Sequence, residues 1–192
     1  MLTILLIRPG KTEYDCQGRV QGTLDVPLSE VGRQQIEEVA QQVADQEVDI
    51  VYAGPCGATQ QSAEIVAQQL NCKVKTVEKL CNLNHGLWQG MLIEDVKVKQ
   101  PKVYKQWQEH PETVCPPDGE SVQVVRERLQ EVFAKIAKKH KKNKVAIVAP
   151  EPLASVLRNI LRDDALGDLW RVEDENQPLW EQIEVPEEVL SS

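Results

Sequence analysis

The sequence predicts an α/β fold, a three-layer α/β/α sandwich around a mostly parallel central sheet. Three observations carry this reading. Leu2-Thr3-Ile4-Leu5-Leu6-Ile7 is apolar without alternation, as expected for a strand buried on both faces. A second run of this kind, residues 144–149, recurs late in the chain. Between them, stretches with apolar residues at helical spacing alternate with short strand-like runs, the order that builds a parallel sheet with helices on both faces.

The elements follow in order. Arg8-Pro9-Gly10 ends the first strand abruptly, and residues 8–28 are predicted as a long ordered loop. In open α/β sheets the site lies beyond the carboxyl ends of the strands, so this loop is the first place to look for one. Ser29 is suited to cap a helix over 29–44, with Ile36, Val39, Ala40 and Val43 as its inward stripe. Residues 49–52 read as the second strand. Gly54-Pro55-Cys56-Gly57 turns into a helix over 58–70 with Ala63, Val66, Ala67 and Leu70 inward, and residues 73–77 alternate like an exposed edge strand. Residues 78–120 are the least regular part and read as a cap inserted over the carboxyl edge of the sheet, within a single domain spanning 1–192. Inside it, Pro101 fits the first turn of a short helix ending near Glu109. Ser121 is suited to cap a long helix to about Lys139, with Val122, Val125, Leu129, Val132, Phe133 and Ile136 inward. Pro152 opens a helix over 153–161, and strands near 169–173 and 180–185 close the chain.

The 192 residues carry a net charge of −8, which disfavours nucleic acid and anionic membranes as partners. No basic-apolar leader precedes the first strand and no apolar run approaches membrane length. The five cysteines, Cys16, Cys56, Cys72, Cys81 and Cys115, are odd in number and lack CxxC spacing, which fits a reduced, cytoplasmic setting. No cluster with metal-ligand spacing, P-loop or dinucleotide fingerprint is present, so neither a metal nor a cofactor is expected.

Arg8-Pro9-Gly10-Lys11-Thr12-Glu13, followed by Gln17-Gly18-Arg19-Val20-Gln21-Gly22-Thr23-Leu24-Asp25-Val26-Pro27-Leu28-Ser29, resembles the histidine phosphatase superfamily, which includes the cofactor-dependent phosphoglycerate mutases. That family opens with R-H-G-E-T and a Q-G-R-x-Q-G-x-x-D-x-P-L-[ST] stretch. Gly86-x-Trp88-x-Gly90 and Pro117-Asp118-Gly119-Glu120-Ser121 extend the match along the chain. The resemblance implies a phosphoglycerate mutase-like fold and phosphoryl transfer through a phosphohistidine. Such chemistry needs a neutral imidazole nucleophile, cationic donors around the phosphoryl oxygens, and an acid for the leaving group.

At the positions the resemblance assigns to those groups, this chain departs. Arg8 is kept, but the nucleophilic histidine falls on Pro9, which has no nucleophilic nitrogen. The phosphate-binding arginine falls on Ala58, the proton-donating glutamate on Asn82, and the second histidine on Pro150. Glu151 adds a negative charge, so Arg8 and Glu151 with the uncharged Pro9, Ala58, Asn82 and Pro150 sum to about zero. Lys11, where the family has glutamate, restores some positive charge. The residual pocket is then Arg8, Lys11 and Glu151, and Arg8 is expected to pair with Glu151 or Glu13 and close the pocket from within.

The expectation from these losses is a catalytically inactive pseudoenzyme that acts by binding, as a structural or regulatory partner to another protein or to a second copy of itself. A phosphorylated small molecule is disfavoured as ligand. The alternative is a weak phosphatase or phosphoglycerate mutase-type phosphohydrolase that uses non-standard residues, with Cys56, His85, Glu13 or Glu120 lining the pocket. Cys56 opens a helix, whose dipole would lower its thiol pKa, although a small buried residue is the plainer reading. His85 sits where the family has an aromatic residue and reads as packing. His110 falls in the cap, and His140 in the basic run 138–142, read as cations at a helix C-terminus with a polyanion site as the sharper option.

Overall fold

In the computed structural model, described over residues 1–162, 166 and 178–185, the two apolar runs lie side by side at the centre of one sheet. The elements run β1 (Leu2–Ile7), α1 (Glu13–Cys16), α2 (Glu30–Gln42), β2 (Ile50–Ala53), α3 (Gly57–Gln69) and β3 (Lys73–Thr76). They continue with α4 (Ile93–Lys99), α5 (Pro101–Glu109), α6 (Val122–Lys139), β4 (Lys144–Val148), α7 (Leu153–Arg162) and β5 (Trp180–Val185). The sheet order is β3-β2-β4-β1-β5. All pairings are parallel except that of β5 with β1.

The strand period of two sorts β1 between two cores. Leu5 and Ile7 face α2 and α3, packing with Ile36, Val39, Ala63 and Val66. Leu2, Ile4 and Leu6 face α6 and α7, packing with Leu129, Phe133, Val156 and Leu157. This gives the three layers. Each helix contributes one apolar stripe, and the caps are local: Ser29 Oγ accepts from Gly32 N at 3.0 Å, and Ser121 Oγ accepts from Val124 N at 3.3 Å. Leu129 is wholly buried in the second core, where truncation to Ala costs about 2–5 kcal/mol.

Two departures from the sequence reading matter for the site. Residues 8–28 are not loop throughout: Thr12 caps the one-turn helix α1, its Oγ1 accepting from Asp15 N while the Asp15 carboxylate accepts from Thr12 N. Four residues are too few to show a hydrophobic period. Residues 78–120 hold α4 as well as α5, with three single 3-10 turns, and their apolar residues Val96 and Trp107 join the α6/α7 core. The strand expected near 169–173 lies outside the described residues. Among the described residues no helix is long and apolar enough to cross a membrane.

Candidate functional site

β1 and β4 are neighbours, yet the helices that follow them leave to opposite faces of the sheet, α2 to one and α7 to the other. The crevice beyond their carboxyl ends is therefore a switch point, the place where such sheets take ligands. A cavity of about 190 Å³ opens there, against roughly 10–15 Å³ for a single water. Arg8 and Pro9 reach it from the end of β1, Pro150 and Glu151 from the end of β4, Ala58 and Thr59 from the first turn of α3, and Asn82 and His85 from the cap. All five positions at which the family motifs fall, Arg8, Pro9, Ala58, Asn82 and Pro150, thus meet around one space, together with Lys11 and Glu151.

The loop carrying Arg8 to Lys11 is held against the start of α2. The Lys11 carbonyl accepts from Ser29 N and Oγ at 2.9 and 2.8 Å, Lys11 N donates to Gln35 Oε1 at 3.1 Å, and Gly10 N donates to Ser62 Oγ at 3.2 Å. Gly10 is required there, since an added Cβ would lie 1.9 Å from the Gly32 carbonyl oxygen. Arg8 is buried and donates to the Pro178 carbonyl. The first turn of α3 is fixed from outside, with the Asp25 carboxylate accepting from Gly57 N at 2.7 Å and the Val26 carbonyl from Ala58 N at 3.2 Å. The positive end of that helix adds to the cationic character of the cavity wall.

The electrostatics differ from the sequence expectation. Arg19 also lines the cavity, braced by Gln17 Oε1 at 2.9 Å and the Gly90 carbonyl at 2.7 Å. Among the described residues, three cations, Arg8, Lys11 and Arg19, stand against Asp15 and Glu151. Asp15 is taken up by Thr12, whose Oγ1 donates to it at 2.7 Å. Glu151 is taken up by α7: Ser155 N and Oγ donate to it at 3.1 and 2.7 Å, and Arg158 Nη2 at 3.0 Å. The expected Arg8–Glu151 pair is made, at 4.0 Å, but a cavity remains beside it, so the pair does not close the pocket from within. Arg19 is legible in the motif at residues 17–29, whereas Arg158 carries no local signal.

The alternative nucleophiles separate clearly. Cys56, Glu13 and Glu120 do not line the cavity. Burial pushes the Cys56 thiol up, outweighing a hydrogen bond from the Asn82 backbone, so the low-pKa thiol suggested by its place at a helix start is not found. His85 does line the cavity and is buried, its ring edge-to-face with Trp107 at 5.4 Å. Burial pushes it down to about 3, so it is neutral at neutral pH. His110 is exposed, 3.6 Å from Glu112. The basic run does follow the C-terminus of α6, with His140 as its C-cap, but the His140 side chain is buried, with Nε2 2.9 Å from the Tyr52 hydroxyl. Among the described residues no group of three or more His, Cys, Asp and Glu is placed to hold a metal ion.

Comparison with known proteins bears on what this cavity does. The sequence profile of the histidine phosphatase superfamily (branch 1) matches residues 4–180. Phosphoserine phosphatase 1 of Hydrogenobacter thermophilus is 32% identical over 149 residues, covering 78% of this chain and 71% of its own. The probable phosphoglycerate mutase GpmB of Serratia proteamaculans is 31% identical over 133 residues, covering 69% of this chain. The chain spans 62% of that relative's length. A mycobacterial glucosyl-3-phosphoglycerate phosphatase, solved in complex with VO3, superposes with a TM-score of 0.87 at 22% identity, covering 98% of this chain and 94% of its own. These relatives are named as phosphatases and mutases, which overturns the expectation of a catalytically inactive pseudoenzyme. That expectation counted missing side chains and assumed a neutral, self-closed pocket, whereas the cavity is open and its described lining residues carry three cations against two carboxylates. The matched profile spans both halves of the crevice, from β1 to β5, and the chain belongs to the histidine phosphatase superfamily.

Proposed function

We propose that the chain binds phosphate monoesters in this cavity and hydrolyses them slowly, with water as the attacking group. The observation that carries this reading is the convergence of Arg8, Lys11 and Arg19 with the first turn of α3 on one open space. A transferring phosphoryl group spreads charge over its equatorial oxygens, and preorganised cations there stabilise the transition state. The Pro9 ring nitrogen is bound up in the chain and cannot take the phosphoryl group. The water oxygen therefore bonds to phosphorus as the ester oxygen leaves, and a proton passes from the water to the departing alkoxide. Glu151 is the carboxylate assigned to orient that water. Asn82 can offer the leaving oxygen a hydrogen bond but no proton.

Slow turnover is the physical expectation. Hydrolases stripped of their nucleophile and base still keep about 10³–10⁴-fold over water from electrostatics and binding. Hydrolysis is favoured over a mutase reaction, which would have to store the phosphoryl group on the protein between departure and return. The named relatives point to phosphorylated hydroxy acids such as phosphoserine and phosphoglycerate as first substrates to try.

The test is phosphate release from O-phosphoserine, phosphoglycerates and an aryl phosphate by the purified chain. Slow release that disappears in Arg8→Gln, with no isolable phosphoenzyme, is expected. Release no faster than background, or release that Arg8→Gln leaves unchanged, would overturn the reading.

A further inference from the structure

Arg8 and Glu151 face one another across the crevice between β1 and β4. A guanidinium and a carboxylate so placed ordinarily close to a forked pair below 3 Å. Here they stop at 4.0 Å. Arg8 also donates to the Pro178 carbonyl, and the other side of Glu151 is already occupied. Its Oε1 accepts from Arg158 Nη2 at 3.0 Å, and its Oε2 accepts from Ser155 N and Oγ at 3.1 and 2.7 Å. Arg158 Nη2 also donates to Ser155 Oγ at 2.8 Å, so the three side chains form a closed set along α7. Arg158 is anchored behind, with Nη1 3.5 Å from Glu181, which in turn pairs with Arg162 at 2.7 Å. The result is a chain of alternating charge, Arg8, Glu151, Arg158, Glu181 and Arg162, running from the cavity to β5.

We infer that Arg158 competes with Arg8 for the Glu151 carboxylate and thereby holds the cavity open for an anion. The assignment of that anion as phosphate rests on the proposed function. Arg158 does not line the site cavity, so it touches no substrate there and is a positioning residue. Without it, Arg8 is the cation nearest Glu151 among the described residues, and a closed Arg8–Glu151 pair would occupy the space where the anion docks and repel it. A neutral leucine at 158 keeps most of the side-chain bulk along α7 while removing the competitor.

The test uses the full chain and inorganic phosphate, with binding read by calorimetry, in wild type, Arg158→Leu, Glu151→Gln and the double variant. Arg158→Leu should weaken phosphate binding on the order of tenfold. Adding Glu151→Gln should return it to the wild-type level or better. A merely structural role for Arg158 gives no such rescue, and that outcome, or unchanged binding in Arg158→Leu, overturns the inference. A second readout is independent of phosphate: the Arg8/Glu151 coupling from a double-mutant cycle on unfolding stability. It should rise when Arg158 is leucine, and a coupling that does not change overturns the inference. If wild type binds no phosphate while the coupling rises, the phosphate reading falls and the competition for Glu151 stands.

Discussion

Arg128 holds Glu120 in a fork, Nε to Oε1 at 3.0 Å and Nη2 to Oε2 at 3.1 Å. The same guanidinium donates to the carbonyls of Lys79 at 2.6 Å and Asn82 at 3.1 Å, and Glu120 Oε2 accepts from Asn84 N at 3.0 Å. α6 thereby grips the segment that carries Asn82 to the cavity, where its side chain donates to the Glu151 carbonyl at 3.0 Å. Breaking one partner of a largely buried pair leaves the other charge and two carbonyls without their donor. Arg128→Ala should cost roughly 3 kcal/mol in urea unfolding. Arg128→Lys should recover less than half of this, because an ammonium cannot reproduce the fork. A loss of a few tenths of a kcal/mol would show that the pair behaves like an exposed one.

Stability should fall as the medium is acidified through the histidine range. His85 protonates near 6.5 in the unfolded chain but is held at about 3 in the folded one by burial. Between those values the unfolded state binds more protons, so stability is full above about pH 6.5 and declines by about 1.4 kcal/mol per pH unit below it. His140 acts in the same direction: burial lowers it, Lys139 adds to this, and Asp49 opposes. Unfolding curves across this window should be shallower in pH for His85→Phe than for wild type. Parallel pH dependences would show that His85 takes up its proton without unfolding.

Two glycines of the site loops should respond differently to alanine. At Gly10 the new Cβ meets the Gly32 carbonyl 1.9 Å away, backbone against backbone, so Gly10→Ala should cost about 2–3 kcal/mol and displace Arg8. At Gly18, φ is +65° with nothing within 4 Å, so only the left-handed backbone cost of about 1–2 kcal/mol applies. Thermal unfolding of both variants, with phosphate release as a second readout, checks the order. Equal losses would mean that the α2 contact yields.

Lys11 lines the cavity on the loop pinned by Ser29 and Gln35. Lys11→Met keeps the length and removes the charge, and should weaken inorganic phosphate binding on the order of tenfold. The stability of the fold should change little, since the pinning hydrogen bonds are made by its backbone. Calorimetric titration separates the two effects, and unchanged affinity would remove Lys11 from the anion site.

Much of the fold was readable because its causes are local. The bounds of β1, the Ser29 and Ser121 caps, and the stripes of α2 and α6 depend on residues within a few positions of one another. α1 and α4 were missed for the same reason inverted: α1 is one turn held by a capping box, and α4 has a single buried residue, Val96, too little to write a period. The positions around the cavity were found through motif spacing. Their charge balance was not, because it depends on Arg19 arriving beside Gly90 and on Arg158 reaching Glu151.

The sequence alone determined the strand runs, the helix faces, the caps and the absence of a nucleophilic nitrogen at Pro9, since each is a property of a residue or of its near neighbours. The tertiary structure alone decided which cation Glu151 answers to, whether the pocket stays open, and where His140 finds Tyr52. Those outcomes rest on Coulomb and hydrogen-bond terms that change over an ångström or two between residues far apart in the chain. Arg8 meets Glu151 at 4.0 Å, and Arg158 meets it at 3.0 Å. Arg158 is carried on α7 and Arg8 on the end of β1, so that difference of one ångström is set by how α7 packs against the sheet and by the Pro178 carbonyl that holds Arg8.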